Sequence, residues 1–316
     1  MSFSGEIKEE LSTQLSGGRH CRVAELAAIL AGNGKVGIDE EDRLSLEVQT
    51  ENLCLARKYY ILLKKTFKTE AAVTIHKNAY LQKNKVYSLL VADHEKARRI
   101  LTAVEVLDDD GRIRERPERN QLALLHRECC RRAYIRGVFL ASGSVSDPKR
   151  SYHLELVCPR EDRAEVLRGI LDGMGFSARV IPRKKSYVVY LKEGEQIREF
   201  LGCIGANKHL LAMENVRILK EMRNNLNRKV NCETANLGKT VSAAVRQIED
   251  IRYIEERKGL NCLAPGLRQV AELRLSYPDA SLKELGEMLM PPVGKSGVNH
   301  RLRKISETAG RLRGEG

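Results

Sequence analysis

The sequence predicts an α+β protein in which a duplicated αββαββα unit precedes an all-α helix-turn-helix domain. The first observation is an internal repeat, because Leu26–Gly34 reads LAAILAGNG and Ile135–Gly143 reads IRGVFLASG. These segments begin 109 residues apart (135 − 26), and the patterns that follow them agree in order. The second observation is a basic helical pattern near the C-terminus, which follows a capped helix and a turn rich in Pro and Gly.

The charge of the chain indicates the class of its partner. The 316 residues carry a formal net charge of +13, and the pI is about 9.4. Residues 206–316 hold 20 Lys and Arg against 13 Asp and Glu, whereas the first 205 residues hold 35 against 29. A basic surface favours a polyanion. We therefore expect double-stranded DNA as the partner, bound mainly by the last third of the chain.

The cysteines and the N-terminus indicate the compartment. The eight cysteines are Cys21, Cys54, Cys129, Cys130, Cys158, Cys203, Cys232 and Cys262. They form no C-x-x-C pair, so we expect free thiols in a reducing compartment, with no metal and no cofactor. Met1–Leu11 is acidic and does not resemble a signal peptide, and no apolar run approaches the ~18 residues of a membrane span. We expect a cytoplasmic, nucleoid-associated protein without a membrane partner.

The first copy of the repeat, about residues 20–105, alternates helical and strand patterns. Its first helix should end at Asn33-Gly34, because both residues tolerate a positive φ. The predicted elements are a helix at Cys21–Ala31, a strand at Leu44–Val48, a helix at Asn52–Phe67, strands at Ala71–His76 and Lys85–Val91 around a turn near Lys83-Asn84, and a helix at His94–Val104.

The second copy, about residues 128–205, follows the same order. Leu154-Glu155-Leu156 aligns with Leu46-Glu47-Val48 of the first copy. The predicted elements are a helix at Cys130–Ala141, a strand at His153–Val157, a helix at Glu161–Met174, strands at Ala178–Ile181 and Tyr187–Leu191, and a helix at Glu195–Ile204. Agreement of this many elements in order is hard to obtain by chance.

The paired helices resemble degenerate LAGLIDADG motifs of the homing endonuclease fold. The resemblance implies that the two helices cross closely, with Ala28 and Ala31 of one facing Gly137 and Ala141 of the other. In that family the acidic residue before the last glycine binds the divalent metal used for DNA cleavage. Asn33 and Ser142 occupy those positions here. Because neither side chain is anionic, we expect no metal site there and no enzymatic activity.

The same resemblance implies two curved sheets that form a saddle over duplex DNA. The predicted lining strands supply basic residues, of which Arg183, Lys184 and Lys185 are the densest group of candidate phosphate contacts. Other candidates in this region are His76, Lys77, Lys83, Lys85 and Arg179. The alternative is that these residues only solvate the turns and edges of the sheets. Both interpretations remain open at this stage.

Two other motifs carry no function in our interpretation. Gly32–Gly37 satisfies G-x-G-x-x-G, but it follows a predicted helix, whereas a dinucleotide fingerprint follows a strand and opens a helix. The seven histidines are scattered without a nucleophile–base pattern, so no hydrolase triad is predicted.

The last third is predicted to be helical. We expect a linking helix at 206–225, then a polar and basic stretch with Arg228 and Lys229 as candidate phosphate contacts, and a long amphipathic helix from near Asn236. Leu263–Gly266 should end that helix. Three short helices follow at Leu267–Leu275, Leu282–Leu289 and Gly297–Ala309, the second opened by a capping box at Ser281 to Glu284. This order is that of a helix-turn-helix.

The third of these helices is the candidate DNA reader. Val298, Leu302, Ile305 and Ala309 share one face at i, i+4, i+7 and i+11. Donors suited to base edges and phosphates lie opposite or on the flanks, and they are Lys295, Ser296, Asn299, His300, Arg301, Arg303 and Lys304. The alternative is an ordinary solvated basic helix.

The combination of a degenerate LAGLIDADG pair with a C-terminal helix-turn-helix resembles the WhiA family of bacterial regulators. Asn231–Leu237 (NCETANL) and Lys295–Leu302 (KSGVNHRL) are especially similar to that family. The resemblance implies a cytoplasmic DNA-binding protein, in a family tied to sporulation septation in actinobacteria and to cell division or chromosome segregation in other Gram-positive bacteria. Other transcription or division proteins are further candidate partners.

Together these observations predict a non-catalytic, sequence-specific DNA-binding transcription regulator. We expect a LAGLIDADG-like domain at 1–205, a linking helix at 206–225 and a helix-turn-helix domain at 226–316. One alternative is a division or nucleoid protein that binds DNA without controlling promoters. Another is a residual metal-dependent endonuclease that uses other acids near the helix ends, such as Asp39 or Asp147.

Overall fold

The internal repeat forms two copies of one αββαββα motif in the computed structural model, which describes residues 2–77, 85–114 and 121–314. Helix α1 (Phe3–Thr13) precedes the first copy, whose elements are α2 (Arg19–Asn33), β1 (Gly34–Ile38), β2 (Leu44–Thr50), α3 (Leu53–Phe67), β3 (Ala72–Lys77), β4 (Lys85–Val91) and α4 (His94–Ala103). A 3₁₀ turn at Gln121–Leu125 leads to the second copy. Lys83 and the predicted turn near Lys83-Asn84 lie outside the described residues.

The second copy repeats the first almost element for element. Its elements are α5 (Glu128–Ser142), β5 (Gly143–Val145), β6 (Leu154–Cys158), α6 (Glu161–Asp172), β7 (Arg179–Arg183), β8 (Ser186–Leu191) and α7 (Gly194–Ile204). Each copy contains a four-stranded antiparallel sheet, with orders β1-β2-β4-β3 and β5-β6-β8-β7. Leu46 pairs with Val91 in the first sheet, and Leu154 pairs with Leu191 at the matching place in the second. The predicted α+β architecture is confirmed.

Glycine allows each central helix to pass directly into a strand. Gly34 and Gly143 both have φ near −80° and extended backbone, not the positive φ that was expected at Gly34 from the sequence. A Cβ at Gly34 would lie 2.6 Å from the carbonyl oxygen of Leu30, and one at Gly143 would lie 2.7 Å from that of Phe139. Glycine is therefore needed here because there is no room for a side chain, and strands β1 and β5 begin immediately.

Helices α2 and α5 pack against each other through the core of the first unit. A Cβ at Gly137 would lie 2.5 Å from the carbonyl oxygen of Glu25 and 2.8 Å from Cβ of Ala28. One at Gly32 would lie 3.3 Å from Cβ of Ala141. The predicted contact of Ala28 with Gly137 is therefore confirmed, whereas the residue of α2 found next to Ala141 is Gly32 and not the predicted Ala31. One face of each sheet covers the helices, with inward side chains that are almost completely buried: Leu46, Val48, Leu89 and Val91, and Leu154, Leu156, Val189 and Leu191.

The chain divides into two compact units, Met1–Leu219 and Lys220–Gly316. Helix α8 (Asn207–Lys258) is continuous, whereas the sequence pattern predicts two helices around a polar stretch. Asn207–Lys258 contains no proline and a single glycine, Gly238, so nothing in the covalent backbone stops the helix. Among the described residues, no helix combines the length and the apolar character that a membrane crossing requires, α8 included.

The second unit contains the three short helices. They are α9 (Pro265–Ser276), α10 (Leu282–Met288) and α11 (Lys295–Gly314). Ile251 and Ile254 of α8 join their core. The capping box is confirmed, because the Glu284 amide donates to the Ser281 hydroxyl at 3.3 Å and the Ser281 amide donates to the Glu284 carboxylate at 2.7 Å.

Candidate nucleic-acid interface

Helix α11 buries one face and exposes the opposite one. Val298, Leu302, Ile305 and Ala309 are at most 1% exposed and pack in the core of the second unit. Because an α-helix has 3.6 residues per turn, these four side chains share one face, and the opposite face lies at the surface. Along its length α11 carries one anion, Glu307, and six cations, of which five are exposed: Lys295, Arg303, Lys304, Arg311 and Arg313. The exposed face of α11 is therefore strongly basic.

The turn between α10 and α11 fixes where this basic helix begins. The amide of Val293 donates to the carbonyl of Gly286 at 2.9 Å, which folds the turn back over α10. A Cβ at Gly286 would lie 2.0 Å from the carbonyl oxygen of Val293, and one at Gly297 would lie 2.4 Å from Cγ1 of Val293. The absence of both side chains lets Val293 lie between the helices. The turn thereby sets the direction of α11 relative to α10.

Four predicted DNA-binding residues share the exposed face: Ser296, His300, Arg303 and Lys304. Arg303 lies 3.3 Å from Glu307 in an exposed i,i+4 pair. Such pairs contribute little to stability, so the guanidinium is available to a stronger anionic partner. Within the described part of the chain, no hydrogen bond or ion pair is formed by the side chains of Ser296, His300 and Lys304.

Lys295 and Asn299 are exposed on the flank of α11 that faces α8. They line a groove of about 420 Å³ together with Lys239, Thr240 and Arg274, among others. Arg274 is 2% exposed and donates to the carbonyls of Pro278 and Ala280, which places it in the fold and not at the surface. Lys295 and Asn299 therefore lie beside the central basic face and not on it.

Arg301 differs from the other predicted DNA contacts. Its side chain is half-buried, and its guanidinium donates to the carbonyl of Gly266 at 3.3 Å. A Cβ at Gly266 would lie 3.6 Å from the guanidinium, which is an ordinary van der Waals distance, so the contact does not depend on glycine at this position. Arg301 thus connects α11 with the first turn of α9. The helical wheel does not reveal this contact, because it involves a residue 35 positions away.

The C-terminal end of α11 is attached to α8 by residues that the sequence pattern does not single out. The guanidinium of Arg313 lies 2.8 Å from the carboxylate of Asp250 and 4.9 Å from the ring centre of Tyr253. The hydroxyl of Tyr253 donates to the carbonyl of Leu312 at 3.5 Å. These contacts hold the helix at its end, so that its basic face is presented on a fixed support.

The remaining candidate phosphate contacts are distributed over both units. Arg183 ends β7 and lies 2.8 Å from the carboxylate of Glu155. Lys184 has a φ of +56° in the two-residue turn that it forms with Lys185 between β7 and β8. Both lysines are exposed, as are Arg228 and Lys229 on α8. His76, Lys85 and Arg179 are exposed on β3, β4 and β7, and Lys77 is the last residue of β3.

The C-terminal ends of α2 and α5 hold the positions at which the homing endonuclease family has acids. The amide of Asn33 donates to the carbonyl of Gln49 at 3.4 Å, and the hydroxyl of Ser142 donates to the carbonyl of Val138 at 3.4 Å. The buried guanidinium of Arg163 donates to the carbonyl of Ala31 in the last turn of α2. The end of α2 is therefore next to a cation, which disfavours a second one.

Two strand glutamates that are not among the sequence-based candidates lie near these helix ends. Glu47 pairs in register with Lys35, and Glu155 with Ser144. Hydrogen bonds from the Ser88 hydroxyl and the Gln49 amide hold the pKa of Glu47 below its usual value. Glu155 accepts from Arg183 at 2.8 Å. Both carboxylates are thus engaged within their own sheets.

The two acids considered for residual cleavage follow strands β1 and β5. Asp39 lies six residues beyond Asn33, which corresponds to about 20 Å of extended chain. Backbone and side-chain hydrogen bonds from Arg43 hold the pKa of Asp39 below its usual value. Asp147 accepts from the amide of Lys149 at 2.9 Å in its own turn. Each carboxylate is engaged in its own loop.

Comparisons with known proteins agree with this architecture over the whole chain. Residues 19–107 match the model of the WhiA N-terminal LAGLIDADG-like domain, 131–223 that of the WhiA LAGLIDADG-like domain, and 226–309 that of the WhiA C-terminal HTH domain. "Probable cell division protein WhiA" of Lachnoclostridium phytofermentans is 47% identical over 313 residues, which is 99% of this chain and all of the relative.

Two further comparisons cover both units. The protein of the same name from Clostridium novyi is 48% identical over 320 residues and is covered completely, as is this chain. The crystal structure of full-length DUF199/WhiA from Thermatoga maritima is 25% identical and superposes with a TM-score of 0.61, over 98% of this chain and 99% of that one. The chain therefore belongs to the WhiA family.

Proposed function

We propose that this protein is a non-catalytic, sequence-specific regulator of transcription that binds double-stranded DNA through helix α11. The observation that carries the proposal is the exposed basic face of α11 on a helix whose opposite face is buried in the helix-turn-helix core. A recognition helix of this kind places its N-terminal residues in the major groove. The relatives named "Probable cell division protein WhiA" suggest that the regulated process is cell division. Chromosome segregation and sporulation are the other processes that we propose for it, from the resemblance of the sequence to the family.

The chemistry of the face supports a division of labour. Arg303 is suited to guanine or to phosphate, and Asn299 to adenine. Lys304, Lys295 and Ser296 are suited to phosphate oxygens, which fix the register of the helix on DNA. In this proposal Arg301 positions α11 through Gly266 instead of reading bases. Arg228, Lys229, Arg183, Lys184 and Lys185 remain proposed secondary phosphate contacts.

We propose that the first unit does not cleave DNA and instead provides a second DNA contact or a surface for protein docking. The positions of the lost acids hold amide and hydroxyl groups, and Arg163 places a positive charge at the end of α2. We propose a LAGLIDADG-like domain at 1–205 and a helix-turn-helix domain at 226–316, with residues 206–225, the linking helix of the sequence analysis, forming the first part of the continuous helix α8. Such a regulator acts on the nucleoid, in the cytoplasm, with other transcription or division proteins as further partners.

The test uses full-length protein and selected DNA. A random duplex library is enriched on the protein, and one enriched duplex is labelled for fluorescence anisotropy. Replacing Arg303 and Lys304 together by alanine should weaken binding about 10- to 100-fold and reduce the salt slope by about 1–2. Lys283→Ala on α10, which also removes an exposed cation in an i,i+4 pair, should change the affinity little. Equal affinity of the double variant and the wild type would reject α11 as the reader.

The competing functions give different results in two further assays. A residual endonuclease would nick supercoiled plasmid in Mg²⁺ or Mn²⁺, whereas our proposal expects intact plasmid and DNA binding that persists in EDTA. A nucleoid protein without promoter control would occupy DNA broadly. A genome-wide binding map should instead show peaks at promoters, whose transcripts change when Arg303 and Lys304 are replaced.

A further inference from the structure

Four ligand-type side chains meet where the two central helices begin. His20 and Cys21 lie in the first turn of α2, and Cys129 and Cys130 lie in the first turn of α5. The four candidate ligand atoms are all within 4.8 Å of one another. Nδ1 of His20 is 3.2 Å from Sγ of Cys21, 3.1 Å from Sγ of Cys130 and 4.0 Å from Sγ of Cys129. We call these four residues the His–Cys cluster.

The internal repeat explains why the cluster forms from residues far apart in sequence. His20 and Cys129 are separated by 109 residues, and so are Cys21 and Cys130. This is the offset of the two LAGLIDADG-like segments. The two dipeptides therefore occupy the same position in the two copies, and the packing of α2 on α5 brings them together. They lie at the opposite end of the helix pair from Asn33 and Ser142.

The donor set and its dimensions fit one metal ion. Three thiolates and one imidazole are a common set for tetrahedral Zn²⁺ with no open coordination position. With Zn–S of about 2.3 Å and Zn–N of about 2.0 Å, tetrahedral geometry sets sulfur atoms about 3.8 Å apart and nitrogen about 3.5 Å from sulfur. The three measured N–S distances lie on both sides of that value. We propose that the His–Cys cluster binds one Zn²⁺ and thereby joins the two copies of the repeat.

The cysteines ligate Zn²⁺ as thiolates, so metal binding at the cluster releases the protons of their thiol groups. The charge of Zn²⁺ then offsets the repulsion between neighbouring thiolates.

The backbone before α2 makes room for the imidazole. Gly18 is the N-cap of α2, and a Cβ there would lie 2.6 Å from Nε2 of His20. The missing side chain lets the ring lie over Gly18, and Nδ1 then points to the sulfur atoms. Cys21 and Cys130 are buried, whereas His20 and Cys129 are exposed, so the metal has access from solvent.

The proposed zinc site departs from the expectation, drawn from the sequence, that the protein binds no metal. That expectation rests on the absence of C-x-x-C spacing. The sequence nevertheless contains a signal for such a site, which is a pair of ligand-type dipeptides at the offset of the repeat. In a duplicated fold, packing brings equivalent positions of the two copies together. Two adjacent ligands at the same position of each copy can therefore form a four-ligand metal site, as two C-x-x-C pairs do.

The test measures metal content and metal spectra on the full-length protein. Reduced protein purified without chelator should contain about one zinc per chain by plasma mass spectrometry. After metal is stripped, one equivalent of Co²⁺ should give visible d–d bands and a near-ultraviolet thiolate charge-transfer band, both lost on addition of Zn²⁺. The matched control is Cys232→Ser, because Cys232 is exposed on α8 and outside the cluster. It should keep both the zinc and the Co²⁺ spectrum.

Variants of the cluster complete the test. Cys129→Ser with Cys130→Ser, and His20→Ala alone, should lose most of the bound zinc while far-ultraviolet circular dichroism checks that they fold. If a variant does not fold, the Co²⁺ titration of the wild type still decides. Three results would overturn the proposal: no stoichiometric metal and no Co²⁺–thiolate spectrum in the wild type, a disulfide within the cluster of the purified protein under reducing conditions, or zinc retained when both Cys129 and Cys130 are replaced.

Discussion

Nε of Arg136 on α5 lies 2.9 Å from Oε1 of Glu25 on α2, so an ion pair connects the two copies of the repeat inside the core. Nζ of Lys58 on α3 lies 2.9 Å from the same oxygen, and the side chains of Lys58 and Glu25 are fully buried. Lys58 also donates to the carbonyls of Leu11 and Gln14. One carboxylate thus balances two cations from different elements.

Removing this carboxylate should destabilise the first unit strongly. Burial lowers the pKa of Lys58, and the carboxylate of Glu25 opposes that effect. Glu25→Gln leaves two cations in the core without an anion, which we expect to lower the free energy of unfolding by about 3–5 kcal/mol. Urea unfolding followed by circular dichroism measures it. Glu70→Gln, at an exposed pair with Lys64, is the control and should cost less than about 1 kcal/mol. Equal losses of unfolding free energy in both variants would contradict the role of Glu25 as the anion that balances the buried cations.

The close crossing of α2 and α5 predicts opposite effects for two Gly→Ala substitutions. At Gly137 a new Cβ would lie 2.5 Å from the carbonyl oxygen of Glu25, so Gly137→Ala should destabilise the protein by about 2–3 kcal/mol or more. Gly169 is exposed on α6, where a new Cβ would meet no neighbouring element within 4 Å. Gly169→Ala should therefore stabilise the protein by about 0.5–1 kcal/mol. Thermal unfolding of both variants measures the signs, and a tolerated Gly137→Ala would show that the helices are further apart.

The lowered pKa of Lys8 predicts that the stability of the protein depends on pH. Burial lowers the pKa of this half-buried amine to about 8, from about 10.5 in the unfolded chain. Below pH 8 both states carry the proton, and the folded state alone bears the cost of the buried charge. Between pH 8 and 10.5 the unfolded chain binds more protons than the folded protein. The contribution of Lys8 to the free energy of unfolding therefore rises with pH in this range.

Lys8→Met removes that cost. The variant should be more stable than the wild type by about 1–2 kcal/mol at pH 7, allowing for solvent screening, and the difference should shrink as pH rises from 8 to 10.5. Chemical denaturation of both proteins across this range measures the trend. Lys65→Met, on the exposed side of α3, serves as the control. Its difference in stability from the wild type should stay about constant between pH 8 and 10.5. A growing advantage at high pH would refute the assigned direction.

Substitutions of Arg301 and Arg303 should affect different properties, stability in one case and DNA binding in the other, although the two residues are only two positions apart. Arg301 donates to the carbonyl of Gly266, so Arg301→Ala should lower the free energy of unfolding by about 1 kcal/mol. Arg303 is exposed, so Arg303→Ala should leave stability nearly unchanged and weaken DNA binding, with a smaller salt slope. Denaturation and anisotropy on the same two preparations measure both quantities. The reverse pattern would mean that Arg301 is the DNA contact.

Much of the local structure follows from local signals in the sequence. The strand at Lys85–Val91 has the predicted limits, and the helices at Asn52–Phe67 and Glu195–Ile204 differ from the structure by one residue at the start. Apolar periodicity and capping residues depend on neighbours a few positions away, so one sequence suffices to recognise them. Strands β1 and β5 have no range predicted from the sequence, because each is short and begins with glycine immediately after a helix.

The sequence by itself determined the duplication, the class of the fold, and the replacement of two acids by Asn33 and Ser142, because these are properties of patterns and residue types. Only the tertiary structure decided that Arg136 meets Glu25, that Arg301 turns to Gly266, and that His20 and Cys21 meet Cys129 and Cys130. Each of these contacts joins residues between 35 and 111 positions apart. Such distances are closed by the packing of helices and not by any local preference of the chain.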